Sequence, residues 1–148
     1  MKIYTIGYEG ISKKSFIAWL IHHKIDIVAD IRQRPISRKK GFSKKGLCES
    51  LSENNIKYLG YPSLGVQKEI RDELKKSGNY KSFFKKYRES LTSKNQEINE
   101  LYKKVESGKR LALLCFEHDA NKCHRLVLAE QIKKLSKNGF EISHLVPF

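Results

Sequence analysis

Two runs near the start of the chain set its pattern. Lys2 to Ile6 is rich in β-formers and ends at Gly7, while Ile25 to Ile31 is almost continuously apolar, as a strand is when a parallel sheet buries both its faces. Between them Ser12 stands where a helix cap belongs, and Phe16, Trp19, Leu20 and His23 fall on one face at helical spacing. Strand, helix and strand within about thirty residues predict a βαβ unit. A second helix is predicted after Ser43, with Leu47 and Leu51 four apart, and Ile56 to Leu59 follows as a short strand.

The middle of the chain is helical. Tyr80, Phe83, Phe84, Tyr87 and Leu91 make one apolar stripe, and Ile98, Leu101, Tyr102 and Val105 make another. Such aromatics can serve as base-stacking platforms, but at i, i+3, i+4, i+7 spacing their usual place is a core. Leu111 to Phe116 reads as a strand after Gly108, and Leu126 to Leu135 as an amphipathic helix with Leu128, Ile132 and Leu135 aligned, stopped at Asn138-Gly139. Ile142 to Val146 alternates like an edge strand. This order predicts an α/β fold: a single three-layer domain over residues 1–148, its central sheet mostly parallel and flanked by helices. In such sheets ligands bind beyond the carboxyl ends of the strands.

Composition adds a partner class. The 148 residues carry 30 Lys and Arg against 16 Asp and Glu, a formal charge of +14. A field of that size concentrates polyanions, so DNA or a nucleotide is the expected partner, although lysine-rich surfaces also serve solubility. No apolar run reaches the roughly 18 residues that span a bilayer, and the first twenty residues lack a signal-peptide core. No membrane association is expected, and the expected location is cytoplasmic. Three cysteines, Cys48, Cys115 and Cys123, are expected as reduced thiols.

The predicted strand ends carry the chemistry. The first presents Gly7-Tyr8-Glu9-Gly10, the second Asp30-Ile31-Arg32, and the fourth Glu117 followed by Cys123-His124-Arg125. If these strands are neighbours, Tyr8, Asp30, Arg32 and Glu117 share one rim. An ion pair of Asp30 with Arg32 or Arg125 that only shapes the loop is the competing reading. Seven Arg or Lys lie within residues 32 to 45. Arg32, Arg34, Arg38, Lys39 and Lys40, the hydroxyls of Ser37 and Ser43, and Arg125 are therefore candidates for phosphate contact.

The segment from Cys115 to Arg125 allows several chemistries. As a zinc site it offers Cys115, His118, Cys123 and His124, but adjacent Cys123 and His124 fit one tetrahedron poorly and no Cys-x-x-Cys is present, so no metal is expected. As a nucleophile, Cys123 near a helix start with His124 and Arg125 has cause for a lowered pKa. The Cys-x-x-x-x-x-Arg cradle of cysteine phosphatases is missing, because its Arg position is Ala129. As an acid–base pair, Asp30 and Glu117 suit protonation of a leaving group and activation of water, including at a sugar's anomeric carbon.

Thr5-Ile-Gly-Tyr-Glu-Gly10, Asp30-Ile-Arg-Gln-Arg-Pro-Ile-Ser-Arg38 with Gly41-Phe-Ser43, Leu64-Gly65, and Leu114-Cys-Phe-Glu117 followed by Cys123-His-Arg125 resemble the family known as domain of unknown function 488. The motifs run in family order from residue 5 to residue 125. The resemblance implies a compact α/β domain and marks Tyr8, Asp30, Arg32, Pro35, Ser37, Arg38, Glu117, Cys123, His124 and Arg125 as its pattern positions. It implies no settled reaction, only a direction toward nucleic-acid or modified-base metabolism.

The expected function is a nucleic-acid-directed enzyme that hydrolyses an N-glycosidic bond of DNA or a nucleotide, a DNA glycosylase of the repair type. Asp30, Glu117 and Tyr8 would be catalytic, with Glu9, Cys123 and His124 in support and no cofactor. The base would have to leave the stack, with Tyr8 and Phe42 as candidate stacking partners. A basic binding module without chemistry, and a thiol transferase or redox sensor centred on Cys123, are the alternatives. The sequence indicates no particular protein partner.

Overall fold

A five-stranded, entirely parallel sheet forms the middle layer of the computed structural model, which describes residues 1–147. Its strands are β1 (Lys2–Gly7), β2 (Ile27–Asp30), β3 (Lys57–Gly60), β4 (Leu111–Cys115) and β5 (Glu141–Leu145), in the order β3-β2-β4-β1-β5. The three strands whose ends carry the candidate chemistry are therefore neighbours, β4 lying between β2 and β1. The final strand is at an edge, as its alternation predicts.

The six helices are α1 (Lys13–His22), α2 (Lys44–Glu53), α3 (Lys68–Ser77), α4 (Tyr80–Ser90), α5 (Asn95–Glu106) and α6 (His124–Lys133). Period-two alternation divides the sheet into two faces. Tyr4, Ile6, Val28, Ala112 and Leu114 meet Phe16 and Leu20 of α1 and Leu47 and Leu51 of α2 in one core. Ile3, Ile27, Ala29, Leu111 and Leu113 meet Phe83 and Tyr87 of α4, Leu101 and Val105 of α5 and Leu128 and Ile132 of α6 in the other. The aromatic stripe on α4 is thus core at Phe83 and Tyr87, while Tyr80 is exposed.

Two elements differ from the sequence pattern. The last helix begins at His124, two residues earlier than Leu126, because Cys123 caps it: the Cys123 Sγ accepts the Arg125 backbone N–H at 3.5 Å. It ends at Lys133, so Leu135 lies beyond it and is 40% exposed. Helix α3 was not predicted at all. It has no fully buried residue and reaches the core only with half-buried Ile70 and Leu74, an i,i+4 pair too sparse among its charges to register as a stripe.

Candidate functional site

Asp30 ends β2 and is 1% exposed. Burying a carboxylate requires that its oxygens be satisfied, and they are. Oδ1 accepts from the Arg32 Nε at 2.8 Å and from the Arg32 backbone N–H at 3.1 Å, and Oδ2 accepts from the Arg32 Nη2 at 2.7 Å and the Tyr58 hydroxyl at 2.6 Å. Arg32 Nη1 donates to the Tyr8 hydroxyl at 3.1 Å and to the Phe42 carbonyl at 2.6 Å. Burial opposes the charge on Arg32, but the hydrogen bonds and charge of Asp30 outweigh it and raise the guanidinium's pKa. Burial, then the hydrogen bond to Asp30, raises the Tyr58 hydroxyl as well.

Of the two readings of Asp30, this geometry matches the ion pair with Arg32. The carboxylate has no place on the wall of the cavity described below, whereas Arg32 and Tyr8 do. Phe42 is also withdrawn: it is fully buried and stacked on the Tyr8 ring, 4.6 Å between centroids and 9° between planes. Two aromatics of the cavity do reach solvent: Phe116, 46% exposed and edge-on to Tyr8 at 5.4 Å, and Tyr80, 36% exposed at the start of α4.

A cavity of about 650 Å³ opens at the carboxyl ends of β1, β2 and β4. Its apolar wall includes Ile36, Val66, Leu74, Phe83 and Phe116, and its cations are Arg32, Arg34, Arg38, Lys39, Arg71, Lys75 and Lys122. Glu117 is the one carboxylate among its lining residues. Burial raises the Glu117 pKa above the ordinary carboxylate value, with the nearby Arg125 charge pulling the other way. A larger cavity, about 820 Å³, lies at the amino end of the sheet around Lys2, Arg110 and Glu141 and holds none of the strand-end groups.

The basic loop is held by its own hydroxyls. Ser43 Oγ accepts from the Ser37 N–H at 3.0 Å and donates to the Ser37 carbonyl at 3.2 Å, and Ser37 Oγ accepts from the Lys39 N–H at 3.1 Å. Ser37 borders the cavity, and Ser43 and Lys40 are not among its lining residues. Across the opening, Arg71 on α3 donates to the Gln33 side chain at 3.0 Å. Sequence reasoning missed Arg71, Lys75 and Lys122, and the unregistered helix α3 is the reason for the first two. It also missed Tyr58, whose role depends wholly on the pairing of β3 with β2.

Arg125 is fully buried in α6 and holds β4 to the loop after it. Its Nε donates to Thr5 Oγ1 at 3.2 Å, Nη1 to the Glu117 carbonyl, and Nη2 to the His118 carbonyl at 3.0 Å, while Nη1 lies 3.0 Å from Cys115 Sγ. Burial lowers its pKa to about 10. Arg125 is not among the cavity-lining residues, so its place differs from that expected of a phosphate ligand. Glu9 accepts the His118 backbone N–H at 3.0 Å and steadies the same loop.

The Cys115 and Cys123 sulfurs are paired, with Cα atoms 7.6 Å apart, which corrects the expectation of three reduced thiols; Cys48 is free and exposed. The thiol chemistry expected of Cys123 therefore concerns a pair. His124 follows with Nδ1 3.6 Å from Cys123 Sγ and Nε2 2.8 Å from the Ile31 carbonyl. A carbonyl only accepts, so Nε2 carries the proton and Nδ1 presents a lone pair. Burial lowers the His124 pKa to about 4, which keeps the ring neutral. Cys115 Sγ, Cys123 Sγ and a ring nitrogen of His124 all lie within 4.8 Å of one another, so the adjacency of Cys123 and His124 does not keep them from one site, contrary to the sequence argument.

A family model described as "Domain of unknown function DUF488" matches residues 12–132. The matched span holds the Asp30 to Ser43 loop, Glu117 and Cys123-His124-Arg125, and begins after Tyr8. No curated protein and no solved structure matches the chain.

Proposed function

Because the chain belongs to the DUF488 family, whose description assigns no reaction, we propose its activity from its own site: hydrolysis of an N-glycosidic bond in DNA or a nucleotide. The observation that supports this reading is the lone carboxyl of Glu117, desolvated at the wall of a cavity otherwise ringed by cations. Cations at the opening suit the phosphates that flank a target nucleotide. Exposed Phe116 and the apolar wall suit the faces of a base drawn out of its stack.

In this reading Glu117 acts alone as general base. Its raised pKa gives the carboxylate more affinity for a proton than an exposed glutamate has. It takes a proton from a water whose oxygen bonds to the anomeric carbon, while the carbon–nitrogen bond breaks and its electron pair leaves with the base. Arg32 uses four donations on Asp30, Tyr8 and Phe42, which leaves one Nη2 hydrogen for the departing base or a phosphate. Asp30 is then a positioning residue that aims Arg32, and Tyr8 supports the same guanidinium from its hydroxyl.

The test incubates wild type and Glu117→Gln with oligonucleotides bearing varied modified or damaged bases and resolves free bases and abasic sites by mass spectrometry. Release by wild type, reduced about 100-fold or more in Glu117→Gln with binding retained, is the expected result. Salt-sensitive binding without release from any substrate would replace this reading with a binding module.

A further inference from the structure

We propose that Cys115, Cys123 and His124, once the two sulfurs are reduced, bind a zinc-like divalent ion through two thiolates and one imidazole, with the fourth position open to the cavity. The proposal does not rest on the glycosidic reading, because it concerns ligation and not turnover. Three soft or borderline donors converge from a strand end and a helix start, all of them buried. Two sulfurs and an imidazole nitrogen are the ligand types zinc selects, and catalytic zinc sites keep three protein ligands and one open position.

The spacing fits. With metal–sulfur and metal–nitrogen bonds of about 2.3 and 2.0 Å at a tetrahedral angle, sulfur and nitrogen ligands stand roughly 3.5 Å apart. Cys123 Sγ and His124 Nδ1 are 3.6 Å apart. The Cys115 and Cys123 Cα atoms, at 7.6 Å, exceed the roughly 4.4–6.8 Å that most disulfides span, and a sulfur–metal–sulfur bridge is one bond longer.

The surroundings supply what a thiolate–zinc centre needs. A ligating histidine usually donates its second nitrogen to a carbonyl or carboxylate, which fixes the tautomer; His124 does so to Ile31 and turns its Nδ1 lone pair toward Cys123. Buried Arg125 hydrogen-bonds to carbonyls, a hydroxyl and the Cys115 sulfur, with no carboxylate among these partners. Two thiolates would add negative charge directly beside this guanidinium, which otherwise has only the fields of Glu117 and Asp119, and its backbone N–H already points at Cys123 Sγ at 3.5 Å. Cys115 and His124 both border the cavity, and Glu117 Oε2 lies 3.3 Å from Cys115 Sγ.

The chemistry balances with an external reductant. A phosphine gives two electrons to the sulfur–sulfur bond, becomes phosphine oxide with oxygen from water, and leaves two thiols. Metal binding then releases one proton from each thiol, while neutral His124 releases none.

The experiment purifies the full chain under argon with a phosphine reductant and titrates it with Co²⁺, followed by Zn²⁺, with circular dichroism as the check on folding. One equivalent of Co²⁺ is expected, with thiolate-to-cobalt charge-transfer and tetrahedral ligand-field absorption that one equivalent of Zn²⁺ abolishes. Zinc should protect two of the three thiols from a maleimide, leaving Cys48 to react. The absorption should be lost in Cys115→Ser and in Cys123→Ser and kept in Cys48→Ser. A reduced, folded wild type with no charge-transfer band overturns the proposal and leaves the pair as a disulfide only, and a band that persists in the double Cys115→Ser, Cys123→Ser variant overturns it too.

Discussion

Asp30 grips Arg32 through both carboxylate oxygens, Oδ1 on Nε at 2.8 Å and Oδ2 on Nη2 at 2.7 Å, two residues along the same chain and almost wholly out of solvent. Breaking one side of a buried pair costs more than the pair contributes, because the partner's charge stays behind without compensation. Asp30→Asn should therefore lower unfolding stability by about 3 kcal/mol, seen as a lower urea midpoint at unchanged slope. Tyr58→Phe, which removes one charge-assisted donor from Oδ2, should cost about 1.5 kcal/mol. A loss in Asp30→Asn no larger than that in Tyr58→Phe would contradict this account.

Gly7 and Glu117 meet at the ends of β1 and β4 with no room for a side chain. A Cβ on Gly7 would overlap the Glu117 carbonyl that Arg125 holds. Gly7→Ala should push Glu117 and its loop away and cost about 2 to 3 kcal/mol. Gly10→Ala makes the comparison, since a Cβ there meets nothing within 4 Å and only the positive φ of 76° resists it. Denaturation should rank Gly7→Ala as the more damaging of the two.

His144 in β5 sits 2.6 Å from the Thr5 hydroxyl that also receives Arg125. Burial, and then the Arg125 charge, lower its pKa below 6.5. With the folded value below the unfolded one, the unfolded chain takes up the proton first as pH falls. The stability His144 contributes is thus complete above about pH 6.5 and lost as pH drops through the lowered folded value. Ring-proton NMR should show a His144 midpoint below 6.5, and a midpoint at or above 6.5 would contradict the prediction.

Salt dependence separates the cavity cations from the rest of a uniformly basic surface. Arg38 and Arg71 flank the opening from the loop and from α3, whereas Lys45 and Lys81 are exposed and absent from its lining. On a short oligonucleotide, Arg38→Ala should reduce the slope of log affinity against log salt by about one. Lys81→Ala should leave it unchanged. Equal effects at both positions would indicate nonspecific attraction by net charge.

The sequence by itself determined the layers, the parallel sheet and which residues stand at the carboxyl ends of its strands. Those features rest on local periodicity, on residues 27–31 and 111–115 buried on both faces, and on the rule that parallel strands carry their ligands at the carboxyl end. It also marked Glu117, Arg32 and Tyr8, which the fold brings to one cavity. Only the tertiary structure decided what each polar group does there, because side-chain partners come from elements distant in sequence. Tyr58 comes from β3 to Asp30, Thr5 from β1 to Arg125, Arg71 from α3 to the rim, and His124 turns its Nε2 to Ile31 just beyond β2. Strand pairing and helix placement make those meetings, and no spacing along the chain encodes them.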